Sequence, residues 1–225
     1  MSSKKLALFD IDGVLYSGHL VFDLVQDQEK KGIVLGVWKK ILSEMEEYKS
    51  ERKNYKEAAD GMLGAHAKAL QGLSYKLLFD HAYEYISNHK EKMFNYLFDI
   101  LPGLSKKYDI YLVTTNFQFA TEAYAKYIGA KGYLSSIAEV RDGKFTGKVE
   151  LSLGGNKGIV KDLIKKYGKE SSIAFGDSEN DADMLKEVKY PFVFEPNEKL
   201  EKICKDNGWK SVNRDNAYKA LMDLV

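Results

Sequence analysis

Two carboxylates separated by one residue and followed by a glycine, Asp10-Ile11-Asp12-Gly13-Val14, come directly after the apolar run Leu6 to Phe9. Three further polar segments draw attention: Thr114-Thr115-Asn116 after Tyr111-Leu112-Val113, Lys157 in Gly154-Gly155-Asn156-Lys157-Gly158, and Gly176-Asp177-Ser178-Glu179-Asn180-Asp181 after Ile173-Ala174-Phe175. In open parallel sheets, ligands bind beyond the carboxyl ends of strands, so polar residues that follow apolar runs are candidates for chemistry. A carboxylate can attack phosphorus and be released later by water, which divides one slow displacement into two faster ones. A second acid two residues on can protonate a leaving alkoxide and deprotonate the attacking water. Hydroxyl and ammonium groups offset charge on phosphoryl oxygens, and carboxylates suit magnesium.

Each segment alone has an ordinary reading. Asp-x-Asp-Gly is a common turn, a lysine in the first turn of a helix is commonly a solvated surface group, and Asp177 to Asp181 suits the start of a helix. The four together, in this order, outweigh those readings.

The elements that would position them alternate in type. Lys4 to Phe9 reads as a buried strand. Helical spacing then takes over, with Val34, Leu35, Val37, Trp38, Ile41, Leu42 and Met45, then Ala58, Met62, Ala65 and Ala69, then Leu78, Tyr85 and Ile86. Residues 16–99 are therefore expected to be all-helical, and Pro102-Gly103 is expected to break that pattern. After it come a strand at 110–113, a helix at 120–128 stopped by Gly129, and two strands flanking the turn Asp142-Gly143. A helix at 157–167, a strand at 173–175, a helix at 181–188 and a strand around 192–193 follow. This predicts an α/β fold, a doubly wound, Rossmann-like parallel sheet with a helical domain inserted after the first strand. The expected core is 1–15 with 100–225, and the expected insertion 16–99.

A chain of 225 residues with 44% hydrophobic content can bury a substantial core. Its 34 basic and 33 acidic residues leave a formal charge of +1, which gives no field to attract nucleic acid or an acidic membrane. The single cysteine, Cys204, forms no intrachain disulfide, and the N-terminal apolar run is too short for a signal peptide or a membrane span. A cytoplasmic protein acting on small molecules, as a monomer or homodimer, is expected.

In order and type, the four segments resemble the motifs of the haloacid dehalogenase-like superfamily: Asp-x-Asp-Gly, then Thr or Ser, then Lys, then Gly-Asp-Ser-x-x-Asp. The resemblance spans nearly the whole chain. It is most similar to the branch that includes phosphoserine phosphatase, whose helical cap lies between the first and second motifs. That resemblance implies a Mg2+-dependent phosphatase acting on a small phosphomonoester, with Asp10 as the nucleophile that forms an aspartyl-phosphate and Asp12 as general acid/base. Asp12 favours phosphoryl over haloalkane substrates, because the dehalogenases of the superfamily lack an Asp there. Asp10, the Asp12 carbonyl and Asp177 are implied as metal ligands, Thr114 or Thr115 with Asn116, Lys157 and Gly13 as the phosphate cradle, and Asn180 and Asp181 as supporting residues. Transfer to an acceptor alcohol remains an alternative to hydrolysis, and a non-catalytic receiver-like switch is a more distant one.

Phosphoserine phosphatases place a Glu nine residues after the nucleophile to hold the substrate ammonium, where this chain has His19. They also carry a cap arginine for the substrate carboxylate; aligning the cap segment on Tyr55 puts Met62 there, and Arg52 is the cap's only arginine. The expected substrate is accordingly not phosphoserine but an ester with a neutral or apolar leaving group. The cap is expected to move as a lid about two chain crossings, Gly13 to Gly18 and the stretch near Leu101-Pro102-Gly103.

Overall fold

The first apolar run becomes β1 (Lys5–Phe9), whose side chains alternate between two cores. Leu6 and Leu8 enter one buried cluster, Ala7 and Phe9 the other. A strand buried on both faces reads as a continuous apolar run. The structure, a computed structural model, describes residues 4–222 apart from the side chains of Leu97 and Met222. The ends of the expected core, 1–3 and 223–225, lie outside the described residues.

Six more strands join β1 in one sheet: β2 (Tyr108–Phe117), β3 (Gly132–Arg141), β4 (Lys144–Leu151), β5 (Ser172–Gly176), β6 (Tyr190–Phe194) and β7 (Lys210–Val212). Their order is β4-β3-β2-β1-β5-β6-β7, and every neighbouring pair is parallel except β3 and β4. Asp142 and Gly143 make that hairpin with φ of 50° and 74°, the two positive values that a tight two-residue turn requires. Phe9, Phe175 and Phe192 stack across β1, β5 and β6 at 4.6 and 4.7 Å and brace the centre of the sheet. Chain order reverses at β1, with β2 and β3 on one side and β5 to β7 on the other. Such a reversal opens a crevice at the carboxyl end of the strand, where Asp10 stands.

Between β1 and β2 run α1 (Leu20–Lys30), α2 (Val37–Lys49), α3 (Tyr55–Leu70), α4 (Tyr75–Asn88) and α5 (Asn95–Lys107). Asn54 and Glu57 form a reciprocal capping box that starts α3. The loop between α3 and α4 is tied to the hairpin by backbone bonds: Gly72 N–H donates to the Phe145 carbonyl at 2.8 Å, and Phe145 N–H to that of Leu73 at 2.9 Å. Later come α6 (Gln118–Ile128), α7 (Lys161–Tyr167), α8 (Ala182–Glu187), α9 (Glu198–Asn207) and α10 (Ala217–Met222). Residues of α7, α8 and α9 pack with Leu6 and Leu8, while α5, α6 and α10 pack with Ala7 and Phe9. Helices therefore cover both faces of the sheet.

Pro102-Gly103 does not end the helical region as expected, because α5 runs through it to Lys107. An interior proline costs about 3 kcal/mol through its lost donor and ring clash. Ile100 and Leu104 are buried in the core, and each such aliphatic side chain contributes roughly 1.5–3 kcal/mol, enough together to offset that cost. The expected second chain crossing near Leu101 is thus inside a helix. The strands of the chain that lead into and out of α1–α4 instead lie side by side: Ser17 N–H donates to the Lys92 carbonyl at 2.6 Å and Phe94 N–H to that of Leu15 at 3.3 Å. The helix expected at 157–167 begins with a 3₁₀ turn, Lys157–Val160, before α7.

Candidate active site

Asp10 leaves the end of β1 into the crevice, and its backbone N–H still donates to the Phe175 carbonyl at 3.1 Å. Its side chain is buried, and Oδ1 accepts the Ile11 N–H at 2.7 Å and lies 2.9 Å from Lys157 Nζ. The Lys157 ammonium, 1% exposed, also donates to Asp181 Oδ1 at 2.5 Å. A fully buried ammonium is stable only when paired in this way. Burial works against the charge of Lys157, but Asp10 and Asp181 more than offset it and hold the lysine above its ordinary range.

Asp181 is committed on both oxygens. Oδ2 accepts the N–H groups of Asp177 and Ser178 at 3.0 and 3.1 Å, which fixes the loop that carries Asp177. Gly176 leaves room for it, since a Cβ there would stand 2.3 Å from Asp181 Cβ. Gly13 is required twice over: its φ is +73°, and a Cβ would fall 1.9 Å from Asp177 Oδ2. The backbone after Asp12 therefore lies directly against the Asp177 carboxylate.

Carboxylate oxygens of Asp10, Asp177 and Asp181 fall within 4.8 Å of one another. Burial, with repulsion from Asp181 and Asp12 set against the pull of Lys157, pushes Asp10 up to about 8. Burial and repulsion from Asp181 and Asp10 push Asp177 up to about 9. One ammonium does not balance this many carboxylates. A hard divalent cation would relieve the imbalance, and the oxygen donors present suit one.

Asp12 is held from two directions: Oδ1 accepts the Leu20 N–H at 2.7 Å, and Oδ2 accepts Asn116 Nδ2 at 3.0 Å. Burial raises its pKa, partly offset by His19 and by these donors. Asn116 Nδ2 also donates to Thr114 Oγ1 at 2.8 Å, so Thr114, Asn116 and Asp12 form one chain. Thr115 Oγ1 accepts Asn180 Nδ2 at 3.2 Å, while Asn180 Oδ1 accepts the Gly155 N–H at 2.6 Å and secures the loop before Lys157. Thr114 Oγ1 accepts a bond here, which leaves its proton able to turn towards a ligand, whereas the Thr115 hydroxyl also meets that of Tyr55.

All ten residues singled out from the sequence gather at the carboxyl end of the sheet. Two that the sequence did not single out for chemistry join them from the helical segment. Tyr55, at the start of α3, lies close to Thr115, Lys157 and Asp10, and burial raises its pKa. Tyr48, at the end of α2, donates its hydroxyl to Glu179. Glu179 sits inside the Gly-Asp-Ser segment and was visible there, but nothing local to Tyr48 or Tyr55 announces their partners.

A cavity of about 220 Å³ opens beside Asp12, Thr115 and Asn116 and extends between α1, α2 and α3. His19 and Met62 both line it, whereas Arg52 is exposed and paired with Glu47 at 2.8 Å. Among the described residues no helix is long and apolar enough to cross a membrane.

The sequence pattern of the haloacid dehalogenase-like hydrolases matches residues 4–189. A hydrolase of Mycobacterium leprae (strain TN) is 30% identical over 116 residues, a match covering 49% of this chain and 39% of that protein. The chain thus spans less than half the length of that relative. Among solved structures, a protein of unknown function from Bordetella pertussis Tohama I superposes with a TM-score of 0.77 at 24% identity, covering 95% of this chain and all of the other. A substrate-bound phosphoserine phosphatase gives 0.65 at 20% identity, over 90% of this chain and 91% of that one. A phosphoserine phosphatase holding a phospho-aspartyl intermediate analogue gives 0.59 at 20% identity, over 89% and 91%. At these identities the structures establish a shared fold.

Proposed function

The chain belongs to the haloacid dehalogenase-like hydrolases, and from that premise we propose that it is a Mg2+-dependent phosphatase that hydrolyses a small phosphomonoester through an aspartyl-phosphate on Asp10. The observation that carries this reading is the buried Lys157 ammonium shared by Asp10 and Asp181, with Asp177 in the same cluster, at the reversal point of the sheet.

Asp10 is the nucleophile. Lys157 and the Ile11 N–H fix its Oδ1 and so set the plane of the carboxylate. Asp10, Asp177 and the Asp12 main-chain carbonyl would hold the metal, which when bound lets a carboxylate approach a phosphate dianion by offsetting their repulsion. Thr114 or Thr115 donates its hydroxyl proton to a phosphoryl oxygen, and Lys157 adds positive charge beside it. Asp12 borders both the acidic cluster and the cavity, the right place to protonate the leaving oxygen and then deprotonate the attacking water. Its raised pKa suits the acid half of that task.

Helices α1–α4 act as a cap over this site. His19 and Met62 in the cavity wall, and Arg52 paired elsewhere, support a substrate other than phosphoserine, since the wall offers its ammonium and carboxylate neither expected counterion.

The test is turnover of a phosphomonoester panel with Mg2+ and with chelator, combined with acid-quench trapping of phosphate on Asp10. Hydrolysis in water, with no phosphorylated product when acceptor alcohols are added, separates the phosphatase from a phosphotransferase. Folded protein that turns over no phosphomonoester and traps no phosphate would refute it.

A further inference from the structure

We propose that Tyr55, in the first turn of α3, is a phosphoryl ligand: its hydroxyl donates a hydrogen bond to a phosphoryl oxygen at Asp10, so that the helical segment itself holds the group being transferred. This rests on the phosphatase reading and deepens it. Tyr55 lines the same cavity wall as Asp12, Thr115 and Asn116. Its hydroxyl meets that of Thr115 and feels the charges of Lys157 and Asp10, the two groups beside which a phosphoryl group would be seated.

Local structure fixes this placement. The capping box of Asn54 and Glu57 makes Tyr55 the first residue of α3. Its ring packs edge-on against that of Tyr48, with centroids 5.9 Å apart and planes at 90°. One turn further on, α3 is docked on the loop that leads to Lys157. Ser152 Oγ donates to Asp60 Oδ1 at 2.5 Å, and a Cβ on Gly154 would stand 2.8 Å from Ala59 Cβ. The helix therefore approaches the backbone before Lys157 more closely than a side chain at 154 would permit, and Tyr55 comes with it.

The order of the hydrogen bonds decides which proton is free. Asn180 Nδ2 donates to Thr115 Oγ1 at 3.2 Å, so the Thr115 hydroxyl can turn its own proton to the Tyr55 oxygen. A Tyr55 oxygen that accepts there keeps its proton for a third partner. Burial pushes the phenol pKa up, so that proton stays in place to be donated. A phosphoryl group on Asp10 brings charged acceptor oxygens, and hydrogen bonds to charged acceptors are the stronger kind. In this order Thr114 contacts the phosphoryl group directly and Thr115 acts through Tyr55.

The variant that tests it is Tyr55→Phe, which keeps the ring against Tyr48 and removes only the hydroxyl. Calorimetry with Mg2+ and inorganic phosphate reads binding without turnover, and a panel of alkyl and aryl phosphates reads kcat/KM. Both should fall by about 10–100-fold in Tyr55→Phe. The fall in kcat/KM should be the same for alkyl and aryl esters, because the lost bond is to the phosphoryl group they share. Inorganic phosphate should also slow amide hydrogen exchange at residues 55–60 in the wild type and not in the variant. With Thr115→Val added, the losses should be less than additive, since the two hydroxyls act in series. Phosphate affinity retained in Tyr55→Phe, a fall confined to one class of ester, or phosphate that binds the wild type without slowing exchange at 55–60 overturns the assignment and leaves the phosphatase reading standing. Additive losses would put Thr115 on the phosphoryl group itself and overturn the series. A wild type that neither binds phosphate nor turns over any ester refutes the phosphatase reading, and the assignment falls with it.

Discussion

Tyr48 on α2 donates its hydroxyl to Glu179, two residues after Asp177, and Lys199 Nζ lies 4.5 Å from the Tyr48 ring centroid and 3.4 Å from Glu179. The α3–α4 loop is bonded through its backbone to the β3–β4 hairpin, whereas the C-terminal end of α2 reaches the core through these side chains. If α1–α4 open as the proposed cap, opening should therefore begin at α2. For Tyr48→Phe we expect faster hydrogen exchange of the α2 amides, by several-fold, with little change in the β3–β4 hairpin, and a lower kcat/KM. Uniform exchange across α1–α4 would show that the cap moves as one body instead.

Asp10→Asn should abolish turnover while leaving the fold intact, because an amide is a poor nucleophile and a near-isostere. Asp12→Asn should lose about 10²–10⁴-fold, least for aryl phosphates whose leaving groups need no proton. Comparing alkyl and aryl phosphate rates for the Asp12 variant checks its role; an equal loss on both would argue against proton transfer by Asp12.

Lys157→Met should destabilise the protein by about 3–5 kcal/mol, since it leaves the buried carboxylates of Asp10 and Asp181 without their ammonium. Adding Asp181→Asn removes part of that unpaired charge and should raise the melting temperature again. Additive losses in the double variant would mean that Lys157 and Asp181 are not coupled.

Gly13→Ala should fold poorly or lose activity, because the added methyl occupies the place of Asp177 Oδ2 and the φ of +73° disfavours a side chain. Divalent-ion binding by calorimetry should weaken at least as much as stability falls.

His66 is held neutral in the fold, with a pKa of about 4 against an unfolded value near 6.5. Above about pH 6.5 neither state is protonated there and the full stability remains. As pH falls towards 4, the unfolded chain takes up the proton first, and stability is lost by up to about 3 kcal/mol. Asp10 and Asp177, raised by burial, contribute the opposite slope, so the measurement is a difference between wild type and His66→Gln. That difference should change between pH 6.5 and 4 and be flat above 7.

Much of the site was legible because it obeys local rules. Asp10 and Asp177 follow apolar strands, Thr114 follows the apolar run Tyr111-Leu112-Val113 although β2 continues through it to Phe117, Asp142-Gly143 is a turn pair, and Gly13 precedes a tight approach, all written within a few residues of sequence. The short strand β7 was not legible, since Val212 alone among its three residues is buried and no alternation can show. The course of α5 was misjudged because proline carries a strong local penalty, while the compensating burial of Ile100 and Leu104 depends on partners elsewhere.

By itself the sequence determined which residue types stand at the carboxyl ends of the strands, and hence the class of chemistry, because strand burial and turn preference are local. Only the tertiary structure decided that Lys157 bridges Asp10 and Asp181, that Tyr48 meets Glu179 across 131 residues, and that His66 is buried beside Gln28 in the cavity wall. Those pairings arise from folding helices over a sheet, and their energies come from excluding water between groups far apart in the chain.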